Sequence, residues 1–334
     1  MLEVLVLFEN VENLRNNNHL VISNALISHG AHVSVGKLSS LGTRNGRTSC
    51  LATKVDRPLS EGDNFSVTAT CVDAEDFDLV WVMNQPHVLI EKDIYQFLWQ
   101  LSRKVQFVNS IEALMFLNNK NNLSAIVPSE SVVEGYCSNE FEFLWNIVAE
   151  SDERWIVKPA NDGCGADVFL LSRKDTNARA ILQSMTGNAV SNYEIYSPQV
   201  LGNVKKFCLL QKYVQQAERH EKRVVIAGGE VIGSYGKILN TSDHRSNRIQ
   251  GSTQFFCELS KAEAALSSQV AKNLAVNGIH FAAIDLAYPY VFEINMVNPG
   301  GVQALSRLSG QDYAAIAVQK ILAGATRGDH DVAA

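Results

Sequence analysis

Cysteine is scarce in this 334-residue sequence, and its six residues, at positions 50, 71, 137, 164, 208 and 257, form no CxxC pair. Structural zinc sites use closely spaced cysteine and histidine ligands, so this spacing gives such a site no support. The eight histidines form no HExxH pair either, which leaves a zinc hydrolase without its sequence signature. We therefore expect reduced thiols in a cytoplasmic protein.

Long apolar runs and excess positive charge are also missing. No run approaches the ~20 apolar residues that a membrane span needs. The opening apolar run, Leu2 to Phe8, contains Glu3 and lacks the basic start of a signal peptide. A formal net charge of −6 argues against a general nucleic-acid binder. We expect neither a membrane nor a nucleic acid as a partner.

The composition that remains is that of a globular chain with more than one core. Hydrophobic residues make up 46% of it, and single cores rarely grow beyond roughly 250 residues. A βαβ pattern opens the chain, and apolar strands are predicted at Asp78–Met83 and Val105–Val108. These features predict a small parallel α/β domain over residues 1–117. Residues 42–66 have weak periodicity and are predicted to be a long connection or an irregular edge element.

After residue 117 the pattern changes to short strands and helices. We predict a strand at Ala125–Val127 and helices within Ser138–Glu150 and Lys261–Asn277. Strands are also predicted in the last part of the chain, from Phe207 onward. The chain is thereby divided into an N-terminal domain (1–117), a central α+β lobe (118–206) and a C-terminal α+β lobe (207–334).

The first candidate site is a lysine at the end of an apolar strand. The strand reads WIVKP and ends in Lys158-Pro159, and Gly163 and Gly165 follow in the turn. Burying a lysine is costly unless it meets an anion, and glycines let backbone N–H groups approach phosphate oxygens closely. The segment is neither a P-loop nor a Rossmann fingerprint. A plain hairpin turn, with the lysine reaching solvent, stays the alternative.

The second candidate site is a group of oxygen-bearing side chains, Asp285, Glu293 and Asn295, in otherwise apolar strands. A hairpin that turns around Pro289 places Asp285 opposite Glu293, with Asn295 projecting to the same face. Facing carboxylates repel each other, and a Mg²⁺ ion shared with nucleotide phosphates removes that conflict. Alternatively, the acids face solvent or a lysine on a neighbouring strand.

Cations that suit phosphoryl transfer form the third candidate site. Arg223 opens an apolar strand after Glu221, and Arg245 and Asn247 follow about twenty residues later. Charge spreads over the moving phosphoryl group, and arginine or lysine side chains stabilise it. Surface charge at a strand start is the alternative explanation.

Taken in order, these segments resemble the bacterial glutathione synthetase family of ATP-grasp ligases along nearly the whole chain. The resemblance implies an ATP-grasp fold of mixed α/β and α+β type, in which an N-terminal parallel α/β (pre-ATP-grasp) domain precedes two α+β lobes that clasp ATP. It also implies ATP and Mg²⁺ as cofactors, with two ions in the site and Mn²⁺ as an alternative ion.

The resemblance assigns roles to particular positions of this sequence. It implies that the metal ligands are Asp285, Glu293 and Asn295. It implies that the catalytic residues are Arg223, Arg245 and Asn247. It implies that the nucleotide is bound by Lys120, Lys158, Gly163, Gly165, Gln211, Tyr213, Val214 and Glu221.

The activity implied is that of an ATP-dependent carboxylate–amine ligase, which joins a small acid to a small amine through an acyl phosphate. The family likeness also suggests a homodimer or tetramer. The segments Val82–Pro86 and Asn295–Gly301 depart from forms common in the family. A ligase for a different amino acid or dipeptide therefore stays open, as does a non-catalytic ATP-binding protein.

Overall fold

The computed structural model describes residues 1–161, 167–187, 205–238 and 253–325. Within these ranges the strands form three sheets, of seven, four and five strands. Four residues singled out in the sequence, Gly163, Gly165, Arg245 and Asn247, lie outside the described residues.

The first sheet lies in the N-terminal part of the chain. Its strands are β1 (Glu3–Phe8), β2 (His32–Lys37), β3 (Gly42–Arg44), β4 (Arg47–Val55), β5 (Thr70–Asp73), β6 (Leu79–Val82) and β7 (Gln106–Phe107). Strand β1 pairs in parallel with β2 and β6, and β6 pairs in parallel with β7. The predicted βαβ opening and parallel sheet are therefore confirmed for these strands.

An antiparallel edge completes this sheet, since β4 pairs with β2, β3 and β5. Residues 42–55 are thus a regular hairpin at the edge, and neither a connection nor an irregular element. The turn explains the hairpin: Asn45 and Gly46 both have positive φ, at 52° and 77°. Two such residues between strands are typical of a type I′ turn, whose twist matches that of the flanking strands.

The second sheet is antiparallel throughout. It contains β8 (Gly135–Ser138), β9 (Trp155–Pro159), β10 (Phe169–Leu171) and β11 (Cys208–Lys212), in the order β10-β9-β11-β8. Strand β11 joins this sheet although the predicted boundary before residue 207 assigned it to the C-terminal lobe. The predicted strand at Ala125–Val127 is wrong, because a 3₁₀ helix covers Lys120–Ala125.

The third sheet carries the acidic hairpin. Its strands are β12 (Glu221–Ala227), β13 (Glu230–Ile238), β14 (Thr253–Phe256), β15 (Phe281–Ala287) and β16 (Tyr290–Asn295). The order is β14-β13-β12-β15-β16. Strand β15 is buried at every position, which explains its nearly continuous apolar sequence.

The helices are α1 (Asn18–Ser28), α2 (Glu91–Ser102), α3 (Ile111–Phe116), α4 (Phe141–Ala149), α5 (Ala178–Met185), α6 (Ala217–His220), α7 (Lys261–Val276), α8 (Val302–Ser309) and α9 (Tyr313–Ala325). The predicted helices near α4 and α7 are confirmed. Helix α7 begins with a capping box between Ser260 and Glu263. In the described part of the chain, no helix is both long and apolar enough to cross a membrane.

The first and third sheets share their hydrophobic core. Trp81 of β6 meets Phe281 of β15 edge-on, with ring centroids 5.3 Å apart, and both side chains are buried. The second sheet packs separately against α4 and α5, around Leu144, Val157 and Leu182. The acidic hairpin and Lys158 therefore belong to two differently supported parts of the molecule.

Candidate active site

The hairpin of β15 and β16 brings the predicted acids together. Asp285 lies opposite Glu293, and Asn295 lies opposite Ala283, so the predicted pairing is confirmed. A two-residue turn at Tyr288–Pro289 alone would place Phe292 opposite Asp285. An irregularity in the register beside Asp285 leaves Phe292 as an extra residue, and this bulge brings Glu293 into position.

Asp285 is the centre of a buried ion-pair cluster. Its carboxylate accepts hydrogen bonds from Arg223 Nε at 2.8 Å and from Lys237 Nζ at 2.9 Å. Lys237 also donates to Glu221 Oε1 at 2.7 Å. The alternative of an acid facing a basic residue on a neighbouring strand therefore describes Asp285 in this structure. The alternative of a surface position for Arg223 does not hold, because its side chain is only 15% exposed.

Electrostatics keeps this cluster charged. Burial alone would raise the pKa of Asp285. The opposing effect of Arg223 and Lys237 is larger, so the pKa of Asp285 lies below its ordinary value. Burial disfavours the charged forms of Arg223 and Lys237, yet the nearby Asp285 raises the pKa of each above its ordinary value. Two cations are thus held in charged form beside the acidic hairpin.

Lys158 lies inside the molecule at the end of β9. It is 7% exposed, which rules out the alternative in which it reaches solvent. Its Nζ donates to Gln211 Oε1 at 3.1 Å. Burial lowers the pKa of Lys158, and Glu293 partly opposes that shift. A buried lysine whose charge is disfavoured in this way is suited to meeting an anionic ligand.

Lys120 comes close to the same hairpin from another direction. Its Nζ lies 4.0 Å from Glu293 Oε1, and its backbone N–H donates to the carbonyl of Ala160 at 2.9 Å. The segment that follows the first sheet thus touches both the end of β9 and the acidic hairpin. The structure therefore brings Lys120, Lys158 and Glu293 to one place.

Tyr213 and Val214, two of the predicted nucleotide-binding residues, directly follow β11. The backbone N–H of Tyr213 donates to the carbonyl of Arg154 at 2.8 Å, and the Tyr213 hydroxyl donates to Glu218 at 2.7 Å. Val214 is buried next to it. Glu221, also predicted to bind the nucleotide, forms an ion pair with Lys237. The nucleotide roles of Tyr213, Val214 and Glu221 stay predictions.

Lys237 and Tyr235 were missed by reasoning from the sequence. Both are buried, and they pair across the sheet with Glu221 and Arg223 respectively. A hairpin counted from the Gly228–Gly229 turn would put each partner one residue earlier in β13. The register shift beside Val225 adds a residue and moves Lys237 into the cluster.

The oxygen donors of the hairpin fit a hard divalent cation. Carboxylate and amide oxygens are the ligands that Mg²⁺ takes from proteins. The Nδ2 atom of Asn295 is buried and has no hydrogen-bond partner among the described residues. No three His, Cys, Asp or Glu side chains in the described ranges form a metal cluster.

Comparison with known proteins decides the family. The model of the prokaryotic glutathione synthetase ATP-grasp domain matches residues 121–310, more than half of the chain. The chain belongs to this family. A glutathione synthetase from Nostoc sp. is 25% identical over 217 residues, which cover 65% of this chain. The chain spans 61% of that relative's length.

Solved structures of low sequence identity share the fold. A crystal structure of a D-cycloserine synthetase matches with a TM-score of 0.62 and 16% identity, covering 96% of this chain and 98% of that one. A RiPP-associated ATP-grasp ligase from Chryseobacterium gregarium, in complex with ADP and a leader and core peptide, matches with a TM-score of 0.61 and 12% identity. It covers 98% of this chain and 97% of its own. The predicted ATP-grasp fold is therefore confirmed.

Proposed function

We propose that this protein is an ATP-dependent carboxylate–amine ligase of the glutathione synthetase-like type, which forms a peptide or amide bond through an acyl phosphate. The observation that carries the proposal is that Lys120 links the end of β9, which holds the buried Lys158, to the acidic hairpin: its N–H donates to the Ala160 carbonyl at 2.9 Å, and its Nζ lies 4.0 Å from Glu293 Oε1. Family membership supports the same conclusion, because the matched residues, 121–310, include both Lys158 and the acidic hairpin.

The nucleotide and metal would be held by residues from both sheets. Lys120 and Lys158 are placed to meet phosphate oxygens, while Glu293 and Asn295 would bind Mg²⁺ together with Asp285. Two ions, or Mn²⁺ in their place, stay part of the proposal. A bound Mg²⁺ supplies charge neutralisation and polarises the phosphoryl group. Gly163 and Gly165 are proposed to cover the phosphates.

The proposed reaction has two steps. A carboxylate oxygen of the acid attacks the γ-phosphorus of ATP, the bond to the bridging oxygen breaks, and ADP leaves. The amine nitrogen then attacks the acyl carbon and loses a proton, and inorganic phosphate leaves with the electrons of the C–O bond. Arg223 would stabilise the charge that develops, and Arg245 and Asn247 are proposed to assist. No side chain acts as a covalent nucleophile.

The acid and amine are proposed to bind beside the first sheet. In open parallel sheets, ligands bind outside the carboxyl ends of the strands where the strand order reverses direction. Here that point lies between β1 and β6, because β2 flanks β1 on the other side. His19 lies there, 2.9 Å from Asn84 Oδ1 and 3.4 Å from Asn298 Nδ2. Asn298 belongs to the segment that follows Asn295, so His19 contacts the segment that leaves the proposed metal site.

The uncharged side chains around His19 favour a second candidate substrate pair. Burial lowers the pKa of His19 below its ordinary value of 6.5, which favours the neutral ring at pH 7. Asn84 and Asn298 are uncharged as well. Strong recognition of an acidic donor uses arginine or lysine. A ligase for an acid and amine other than γ-glutamylcysteine and glycine is therefore the second candidate.

ADP release from Mg²⁺-ATP tests the proposal. The protein would be supplied with a matrix of acids and amines, beginning with γ-glutamylcysteine plus glycine and continuing with pairs of single amino acids. We expect ADP only when both partners of one pair are present. Turnover with another pair supports the second candidate, whereas ATP binding with no turnover for any pair would favour a non-catalytic ATP-binding protein.

A matched pair of variants separates chemistry from folding. Glu293→Gln keeps the size of the side chain but removes the proposed ligand's charge, so we expect ADP release to be lost. Glu230→Gln changes an exposed acid of the same sheet, which pairs with Lys320 on the surface, and should leave ADP release unchanged. Full activity of Glu293→Gln would overturn the proposed metal site.

Light scattering would test the predicted dimer or tetramer, and fractionation of cells would test the predicted cytoplasmic location.

A further inference from the structure

Asn109 is a buried amide that joins the first sheet to the acidic hairpin. Its Nδ2 donates to the carbonyls of Phe281 at 2.8 Å and Met296 at 2.6 Å. Its Oδ1 accepts from the backbone N–H groups of His280 and Phe281, both at 2.8 Å. An asparagine amide has two donor hydrogens and two acceptor lone pairs. All four positions of Asn109 are therefore used on this one hairpin.

These four bonds tie the open end of the hairpin. Phe281 begins β15, and Met296 directly follows Asn295, the last residue of β16. The hairpin's turn lies at the opposite end, at Tyr288–Pro289. Asn109 itself follows β7 and forms an isolated backbone bridge with Ile279. One side chain from the N-terminal part of the chain, residues 1–117, thus holds both strand ends next to the proposed metal ligands.

Asn18 holds the same segment two residues further on. Its Nδ2 donates to the carbonyl of Pro299 at 2.7 Å and to Asn298 Oδ1 at 3.0 Å. Asn18 is the first residue of α1 and is 7% exposed. We call Asn18 and Asn109 together the amide clamp. The clamp fixes residues 296–299 from two places within residues 1–117.

The geometry points to a positioning role for the amide clamp: Asn18 and Asn109 hold Asn295 in place to bind the metal. The Nδ2 atom of Asn295 has no hydrogen-bond partner among the described residues. Its placement therefore depends on its backbone, which pairs with Ala283 on one side and continues into the clamped segment on the other. Outer contacts of this kind orient metal ligands and tune the metal's affinity. This inference rests on the proposed function.

The chain offers a matched control in Asn24. Its Nδ2 donates to the carbonyl of Leu59 at 2.9 Å, and its Oδ1 accepts from the Leu59 N–H at 2.6 Å. Asn24 thus forms the same kind of bridge from an asparagine side chain to a distant backbone, with both ends within residues 1–117. Replacing Asn24 tests what the loss of such a bridge does to stability alone.

The experiment is a calorimetric titration of the full chain with ADP at a series of Mg²⁺ concentrations, paired with thermal unfolding. The clamp predicts that Asn109→Ala raises the Mg²⁺ concentration needed for half-maximal ADP binding by about tenfold, the low end of the range for such outer contacts. Asn18→Ala should shift it in the same direction by less. Asn24→Ala should lower the Tm and leave the Mg²⁺ dependence of ADP binding as in the wild type.

Several outcomes would contradict the inference. If Asn109→Ala and Asn18→Ala lower the Tm but keep the wild-type Mg²⁺ dependence, the clamp is purely structural. If Asn109→Ala does not fold, Asn18→Ala decides the question alone, and an unchanged Mg²⁺ dependence overturns the inference. ADP binding by the wild type that is independent of Mg²⁺ would overturn the proposed metal site, and the inference with it. That result is distinct from a failure of the clamp alone.

Discussion

The second sheet and the pair formed by the first and third sheets are built differently. The second sheet closes its own core with α4 and α5, around residues such as Leu144 and Trp155. The first and third sheets share their core, in which Trp81 meets Phe281. The proposed site takes Lys158 from the unit of the second sheet, and it takes the acidic hairpin from the unit that the first and third sheets form together. Assembly of the site therefore depends on how two independently packed units meet.

Contacts between the units run through residues 120–132. The N–H of Lys120 donates to Ala160 at the end of β9, and Val132 bridges to Val291 of β16. Lys120 also approaches Glu293. This segment links the units without merging their cores. Each unit should thus be open to disruption without the other.

The largest effect is expected at the buried charges of the unit that the first and third sheets form together. Asp285→Ala removes the partner of Arg223 and Lys237, and leaving buried charges unpaired costs about 3–5 kcal/mol. Urea unfolding should show that loss in the free energy of unfolding, and Mg²⁺-dependent ADP release should disappear. The exposed pair of Glu230 and Lys320 supplies the control, because Glu230→Ala should change neither quantity measurably. A stability equal to wild type for Asp285→Ala would contradict the cluster.

Trp81→Ala tests whether the first and third sheets form one unit. The side chain is 2% exposed and packs on Phe281, so its removal should cost about 3–5 kcal/mol. Hydrogen exchange should show lost protection in β6 and β15 together, with β9 and β11 unchanged. Lost protection in the first sheet alone would show that the shared core does not couple them.

Leu144→Ala is the reciprocal test in the unit formed by the second sheet with α4 and α5. Leu144 is fully buried in the core of the second sheet, and its truncation should cost about 2–5 kcal/mol. Here hydrogen exchange should lose protection in β9 and β11 while β15 keeps it. An equal loss in β15 would mean that the two units unfold as one.

The smallest effect concerns the cap of α7, which packs on the third sheet. The Oγ atom of Ser260 accepts from the N–H of Glu263 at 3.3 Å, and losing such a cap costs about 1 kcal/mol. Ser260→Ala should lower the free energy of unfolding by that amount, measured by urea unfolding. Ser260→Thr keeps the hydroxyl and should restore most of the loss. Equal effects of the two substitutions would speak against the cap.

Local chemistry made much of the fold predictable. Ser110 caps α3 by accepting from the N–H of Ala113, and serine directly before an apolar run is a typical start of a helix. The pairing of Asp285 with Glu293 was predicted from a turn around Pro289, whereas the structure reaches it through a two-residue turn and an irregularity beside Asp285. Asn45–Gly46 also carried a hairpin signal, but the weak alternation around it concealed β3 and β4.

The rest depended on tertiary packing. The placement of β11 between β8 and β9 joins strands far apart in the sequence, and no local pattern specifies that order. Lys237 entered the site through a bulge in β13, which a count along the strand misses by one residue. The roles of Lys120, Gln211 and Val214 in binding a nucleotide came from family likeness and stay predictions.

A crystal structure with Mg²⁺ and ADP bound tests the central claim most directly, because it shows whether the two units build one nucleotide site. We expect the β-phosphate of ADP to contact Lys158 and Lys120, and the metal to lie on oxygens of Glu293 and Asn295. ADP bound away from Lys158, or a metal with no ligand from the hairpin of β15 and β16, would contradict the account.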